Sequence, residues 1–156
     1  TKAYIYSYSR TAKLSAWSTF TFPITIDDAA VLNNDLYLRS GDDVYKVDPD
    51  VYADDGVAPL CEVELGYQSA GLPGVLKQFI GFDIVATGSP EIAFKWDSND
   101  HSRITDYFAI SGDTRPGDML PMELCSTSIA PALRHQANEL FELNAMQLYY
   151  EKLGPV

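Results

Sequence analysis

The sequence is poor in basic, histidine and cysteine residues, and it has no long apolar run. Its 156 residues include 11 Lys and Arg against 22 Asp and Glu, which gives a net charge of −11. So acidic a chain repels phosphate groups, and we expect neither sequence-specific binding of nucleic acid nor docking on anionic lipid. No apolar run approaches the roughly 20 residues that a membrane span needs, so we expect no membrane partner.

The scarcity of histidine argues against a metal centre. The two histidines, His101 and His135, have no second His or Cys at a spacing typical of metal ligands, and we interpret both as solvated. The sequence also lacks a nucleophile elbow, a phosphate-binding loop and a dinucleotide-binding glycine motif. We therefore expect a protein that is not an enzyme, with no catalytic residues, no metal ligands and no cofactor.

The two cysteines, Cys61 and Cys125, give little information. A chain of this length does not need a disulfide to fold, which favours two reduced cysteines in strands. A pairing between them stays open at this point.

Aromatic and other hydrophobic residues are plentiful by contrast. Hydrophobic residues make up 46% of the chain, with ten Tyr, seven Phe and two Trp. This share can build a core, and the aromatic excess favours β structure.

The first 48 residues show short alternating segments separated by turn residues. Tyr4, Tyr6 and Tyr8 occupy alternate positions, as in a strand with two different faces. Turn residues at 33–35 and 41–43 separate later segments of the same kind. The spacing predicts four or five strands in an antiparallel meander, about the size of one β-propeller blade. A single blade cannot bury its own faces, so we expect it to need neighbours.

The rest of the chain changes texture after residues 49–60, which hold two prolines and a glycine and are predicted to be a linker. From residue 61 to 156, turn signals recur roughly every 8–12 residues, which is typical of a β-sandwich. Gly81 within the apolar run 75–87 predicts a bulge or a close approach. Residues 138–150 fit a helix or a strand, and the strands around them favour strand.

Three further strands and one loop are predicted in this second part. The strands span residues 91–97, 103–110 and 122–130, and residues 111–121 form a long loop. The fold prediction is thus all-β: a propeller-blade-like antiparallel meander over 1–48, a linker, and a β-sandwich over 61–156. The sequence opens on Thr1 inside a predicted strand, and we expect it to be a piece of a longer polypeptide.

Clustered carboxylates raise two alternatives. Oxygen ligands for calcium are available in two loops, but their spacing does not match an EF-hand, and a solvated acidic linker is the simpler interpretation. Paired acids also serve glycoside hydrolysis, which requires two of them to face each other across a groove. The candidate residues are Asp42, Asp43, Asp48, Asp50, Asp54 and Asp55.

Aromatic side chains raise another alternative, because such rings stack on sugars in carbohydrate-binding β-sandwich modules. The candidates are Trp17, Tyr37, Tyr67, Trp96 and Tyr107. Trp17 and Trp96 each lie within an apolar alternation, so we expect both to be buried.

The strand-and-turn pattern resembles the packaged-DNA stabilisation, or tail tubular, proteins of short-tailed bacteriophages. The stretches that carry the resemblance are Tyr6 to Phe22, Asp27 to Asp48, Leu72 to Asp97, Ser111 to Leu124 and Phe141 to Pro155. The first two look like the closing blade of the family's propeller, and the other three fit its C-terminal sandwich.

The resemblance implies a structural virion protein, part of the tail nozzle or head-tail connector beneath the portal. Such subunits form a homo-oligomeric ring, contact other tail or portal proteins, and help to retain or conduct packaged DNA. The family has no enzyme activity and no cofactor, and its work is done by surfaces, so no functional residue carries over. A carbohydrate-binding β-sandwich module is the alternative.

Overall fold

The computed structural model describes residues 1–11, 13–54, 56–111 and 119–155, and every regular element in these ranges is a β-strand. The predicted all-β fold is confirmed. The chain divides into two compact units, Thr1–Val57 and Ala58–Val156. The division falls inside the segment predicted as a linker, and the assignment of separate domains stays a prediction.

The first unit contains a two-stranded hairpin and a three-stranded meander, both antiparallel. Four or five strands were predicted in one meander; five are present, and they form two sheets rather than one. In the sequence, Pro23 lies between the last strand of the hairpin and the first strand of the meander. Proline has no N–H to donate to a ladder, which is consistent with the end of the hairpin here. The strands are β1 (Lys2–Ser9), β2 (Leu14–Thr21), β3 (Asp28–Leu32), β4 (Asp35–Ser40) and β5 (Asp43–Val47).

The predicted turns of the meander have the backbone that tight hairpins require. Asn33 and Asn34 both have positive φ, at 53° and 72°, and join β3 to β4. Gly41, with φ 58°, joins β4 to β5. Among the side chains described in this unit, only Leu38 is buried. The unit therefore has almost no core of its own, as expected for a single blade without neighbours.

The second unit is a β-sandwich. One sheet has the strand order β10-β7-β12 and the other β6-β11-β8-β9. Its strands are β6 (Cys61–Glu64), β7 (Val75–Thr87), β8 (Glu91–Lys95), β9 (Phe108–Ala109), β10 (Leu120–Ser126), β11 (Ala130–His135) and β12 (Glu142–Pro155).

Three phenylalanine rings join the two sheets of the sandwich. The ring centroid of Phe82 on β7 lies 5.0 Å from that of Phe94 on β8 and 5.5 Å from that of Phe108 on β9. Phe82, Ile84, Ile92 and Phe94 are fully buried in this layer. Each such side chain contributes about 1.5–3 kcal/mol to folding, so this unit has the core that the first unit lacks.

Gly81 lies at a bulge in β7, and this prediction is confirmed. Phe79 and Phe82 both belong to the core, although they are three positions apart and the regular alternation of a strand would place them on opposite faces. The register of β7 against both neighbours shifts at this point. A Cβ on Gly81 would lie 2.6 Å from the carbonyl oxygen of Leu120, so the bulge also brings two backbones together.

The predicted strand 122–130 is wrong in its second half. β10 ends at Ser126, and a new strand, β11, begins at Ala130 and pairs with both β6 and β8. Pro131 conceals this strand in the sequence, because proline is rare inside sheets. It is tolerated because it is second in β11, and its carbonyl oxygen accepts a hydrogen bond from Leu65, just past the end of β6.

The predicted strand 103–110 shrinks to Phe108–Ala109. Thr105 is the physical reason, because its hydroxyl oxygen accepts the N–H of Phe94, 3.0 Å away, in place of a backbone carbonyl. This hydrogen bond to a side chain interrupts the ladder beside β8.

Two other predictions are confirmed. The choice of strand for residues 138–150 is confirmed by β12, and Cys61 and Cys125 are free and lie in strands as expected.

Tyr149 on β12 donates a hydrogen bond to the buried carboxylate of Asp83 on β7. Two effects raise the pKa of Tyr149 above its ordinary value: this hydrogen bond is the larger one, and burial is the next. The folded state therefore holds the phenol proton more tightly than the unfolded chain, so stability decreases as pH rises above about 10, through the folded pKa. We expect Tyr149→Phe and Asp83→Asn each to flatten this alkaline loss in urea titrations. Retention of the wild-type slope by both variants would contradict this assignment.

Candidate functional site

The hairpin β1–β2 carries an exposed aromatic face made of Tyr4, Tyr6, Tyr8 and Trp17. The three tyrosines share a face because they alternate along β1, and Trp17 joins them because it pairs directly with Tyr6. The ring centroids of Tyr6 and Trp17 are 4.9 Å apart with planes inclined by 43°. The Lys2 ammonium lies 5.5 Å from the Tyr4 ring, which places a cation at the end of this face.

The prediction that Trp17 is buried is wrong, since 72% of its surface is exposed. Tyr4 and Tyr8 are exposed by 68% and 63%. The opposite face of the hairpin does not compensate, because Ile5 and Phe20 are exposed as well. A two-stranded hairpin has no second layer, so its alternation produces two distinct faces without burying either.

The meander β3–β5 has a second exposed apolar face. Val31, Leu36 and Val47 lie side by side in register and are all exposed. Leu38, on the same face, is the buried exception. Both sheets of the first unit therefore present apolar surface that no described residue covers, and contiguous exposed apolar surface marks an interaction site.

The second unit contains a cleft of about 810 Å³ beside β11. His135, one of its lining residues, was predicted to be solvated, but only 4% of its surface is exposed. Its ring stacks on Phe141 at 5.2 Å, and neither ring nitrogen has a hydrogen-bond partner in the described part of the chain. Polar residues flank His135 in the sequence, so local composition gave no signal of its burial.

Two of the charged side chains that line this cleft form an ion pair with each other. Arg134 pairs with Glu91 across β11 and β8, and its guanidinium lies 3.9 Å from the ring centroid of Tyr107. The hydrogen bond from Arg134 to Glu91 raises the pKa of Arg134 further. Ser111 lines the cleft, and residues 112–118 of the predicted loop lie outside the described ranges.

The remaining aromatic candidates are partly buried. Trp96 packs against the core and lies under Arg103, 5.1 Å from the guanidinium to the ring centroid. Tyr67 donates its hydroxyl proton to the Asp97 carbonyl oxygen at 2.7 Å, and burial raises its pKa. Tyr37 is half-buried. Of the five predicted sugar-stacking residues, Trp17 is the one that is mostly exposed, and His101 is exposed as predicted.

Two carboxylates in the acidic segments accept backbone hydrogen bonds that stabilise turns. Asp27 accepts the N–H of Gly41 at 2.7 Å, and Asp48 accepts the N–H of Asp50 at 3.0 Å. Over the described ranges, from which Asp55 is missing, no group of three or more His, Cys, Asp or Glu side chains is placed to hold a metal ion.

The described residues contain no helix that is long and apolar enough to cross a membrane. Comparison with known protein families, with curated proteins and with solved structures finds no match to this chain.

Proposed function

We propose that this chain is a structural virion protein, a subunit of a ring in the tail nozzle or head-tail connector of a short-tailed bacteriophage. In this role it helps to retain or conduct packaged DNA, and its neighbours are further copies of itself and adjoining tail or portal proteins. The observation that carries the proposal is the exposed aromatic face of the hairpin, with Trp17 exposed by 72%.

Exposure on this scale favours an assembling protein. Monomeric proteins expose scattered hydrophobic side chains but rarely a contiguous row of large ones. The first unit has almost no buried side chain, and a two-stranded hairpin alone is marginally stable in water. Contacts with neighbouring subunits supply the missing layer, as neighbouring blades do in a propeller.

The sandwich and the charge suit the same role. Two sheets joined by fully buried phenylalanines form a stiff unit, which a tube wall under load requires. The net charge of −11 repels DNA phosphates, so DNA can pass such a wall without being held.

The test is the mass of the particle in solution. We expect the chain to form a closed oligomer by light scattering, and we expect Tyr6→Ser combined with Trp17→Ser to reduce it to monomers. Leu153→Ser, which alters an exposed apolar residue of β12, is the matched control and should leave the oligomer intact. A wild-type chain that stays monomeric at high concentration would contradict the proposal.

Carbohydrate binding is the second candidate, because Trp17 is an open aromatic ring. The 43° inclination between Trp17 and Tyr6 counts against it, since a flat sugar-binding platform needs nearly coplanar rings. The face of Tyr107 is covered by Arg134. Saturable quenching of tryptophan fluorescence by a glycan, lost in Trp17→Ser, would favour this candidate over the first.

A further inference from the structure

The hairpin and the meander of the first unit carry opposite charges. Residues 1–26 contain Lys2, Arg10 and Lys13 and no acidic side chain, which gives this segment +3. Residues 27–57 contain nine aspartates against Arg39 and Lys46, which gives −7. The basic segment includes the whole hairpin with its aromatic face, and the acidic segment includes the whole meander.

The cations of the hairpin lie at the two ends of its aromatic face. Lys2 lies over Tyr4 at one end, and Arg10 and Lys13 lie at the β1–β2 turn at the other. All three are exposed. A partner that fits this face therefore combines apolar surface in its middle with negative charge at its rim.

The exposed face of β3–β5 has this composition. Val31, Leu36 and Val47 form its apolar part. Asp42 and Asp43 are exposed at the β4–β5 turn, and Asp43 lies on the same face because it pairs with Ser40, two residues from Leu38. Of the two cations of the meander, Lys46 is neutralised by Asp35, 3.0 Å away, and this ion pair raises the pKa of Lys46.

We propose that the aromatic face of the hairpin docks on the β3–β5 face of a second copy of this chain. This inference rests on the proposed ring. Both faces are exposed in the single chain, so neither covers the other within one copy. A contact between two different patches leaves one patch of each kind free on every pair, so copies add head to tail until rotation closes a ring.

Nucleic acid is the weaker partner for the same face. Its bases stack on exposed aromatic rings, but its phosphates need a groove of cations. The hairpin supplies three cations, and the remaining 130 residues supply a net charge of −14. This field repels a polyanion and attracts the basic face of another copy.

The experiment is a charge swap followed by sedimentation velocity on the full chain. Variant one carries Lys2→Glu and Arg10→Glu, and variant two carries Asp42→Lys and Asp43→Lys. Each alone places like charges across the contact, so we expect self-association to weaken by about tenfold or more. An equimolar mixture should associate again, because the reversed hairpin of variant one meets the reversed meander of variant two.

Controls separate this contact from the ring itself. Lys152→Glu changes an exposed cation of β12 and should associate as wild type does. Raising the ionic strength from about 0.1 M to about 1 M shortens the Debye length from about 10 Å to about 3 Å and should weaken wild-type association. Circular dichroism should show each variant folded.

The outcomes are distinct. Restored association in the mixture alone, with each variant weakened, supports the contact. Rings that form in both variants as in wild type overturn the contact and leave the proposed ring standing. A wild-type chain without self-association overturns both. Binding of a single-stranded oligonucleotide by wild type, lost in Arg10→Glu, overturns the contact in favour of nucleic acid.

Discussion

Lys77→Met is expected to lower the free energy of unfolding of the sandwich by about 3 kcal/mol, because it removes a buried charged donor that three carbonyl oxygens share. The ammonium group of Lys77 donates to the oxygens of Leu72, Val75 and Thr127 at 2.9, 2.8 and 2.7 Å. Lys77 is fully buried although it is charged, so these three bonds take the place of water. Methionine fills similar volume but leaves the three acceptors without this donor.

The control for Lys77 is Lys152→Met, which alters an exposed lysine on the neighbouring strand β12. Lys152 pairs with Lys77 in register, so backbone propensity is matched between the two sites. We expect the control to change stability by no more than about 0.5 kcal/mol in urea unfolding. Equal effects at the two positions would show that Lys77 does not hold the segment around Leu72 and Val75 to the segment around Thr127.

Gly81→Ala is expected to destabilise the sandwich by about 3 kcal/mol or more, at the upper end of overpacking effects. The new Cβ would lie 2.4 Å from Cγ of Met119 and 2.6 Å from the carbonyl oxygen of Leu120. The methionine side chain can move aside, but the Leu120 backbone is held in the β10–β7 ladder opposite Phe82. Relief therefore requires the two strands to separate at the bulge.

Gly66→Ala is the matched control for Gly81. A Cβ on Gly66 meets no atom within 4 Å, and its φ is not positive. We expect its stability to stay within about 0.5 kcal/mol of wild type or to rise slightly, because alanine restricts the unfolded chain. A Gly81→Ala protein as stable as Gly66→Ala would mean that the two backbones are not held together at the bulge.

Strands were predictable from the sequence wherever one short-range pattern decided them. The alternation of Tyr4, Tyr6 and Tyr8 and the asparagines at 33 and 34 dictate a strand and a tight turn by local geometry alone. Gly81 signalled its bulge because a glycine inside an apolar strand usually marks a close approach. β11 was missed because Pro131 is acceptable only at the position where β6 has already ended.

Burial was less predictable, because it depends on which faces find a second layer. Trp17 and Phe94 lie in similar alternating patterns, but Phe94 faces the β7 sheet, whereas no layer among the described residues covers Trp17. His135 has polar neighbours in sequence and yet lies inside, since β11 lies between β6 and β8 and the ring stacks on Phe141. Period-two patterns state that two faces differ and do not state which one is covered.

The exposed aromatic face of the hairpin could be predicted only in part for the same reason, because the sequence does not show which face is covered. The sequence showed an aromatic-rich hairpin and an acidic chain, and it predicted that a blade-like first part needs neighbours. The structure adds that Trp17 and its three tyrosines are open on one face and that the apolar face of the meander is open as well. The proposed ring would account for both exposures with one kind of contact between copies.

Single-particle electron microscopy of the purified chain at high concentration tests the proposed ring most directly. We expect closed rings with a central opening that admits duplex DNA, and we expect them to disappear when Tyr6 and Trp17 are both replaced by serine. Single separate chains at every concentration, or open filaments without closure, would contradict the assignment of this chain as a ring-forming tail subunit.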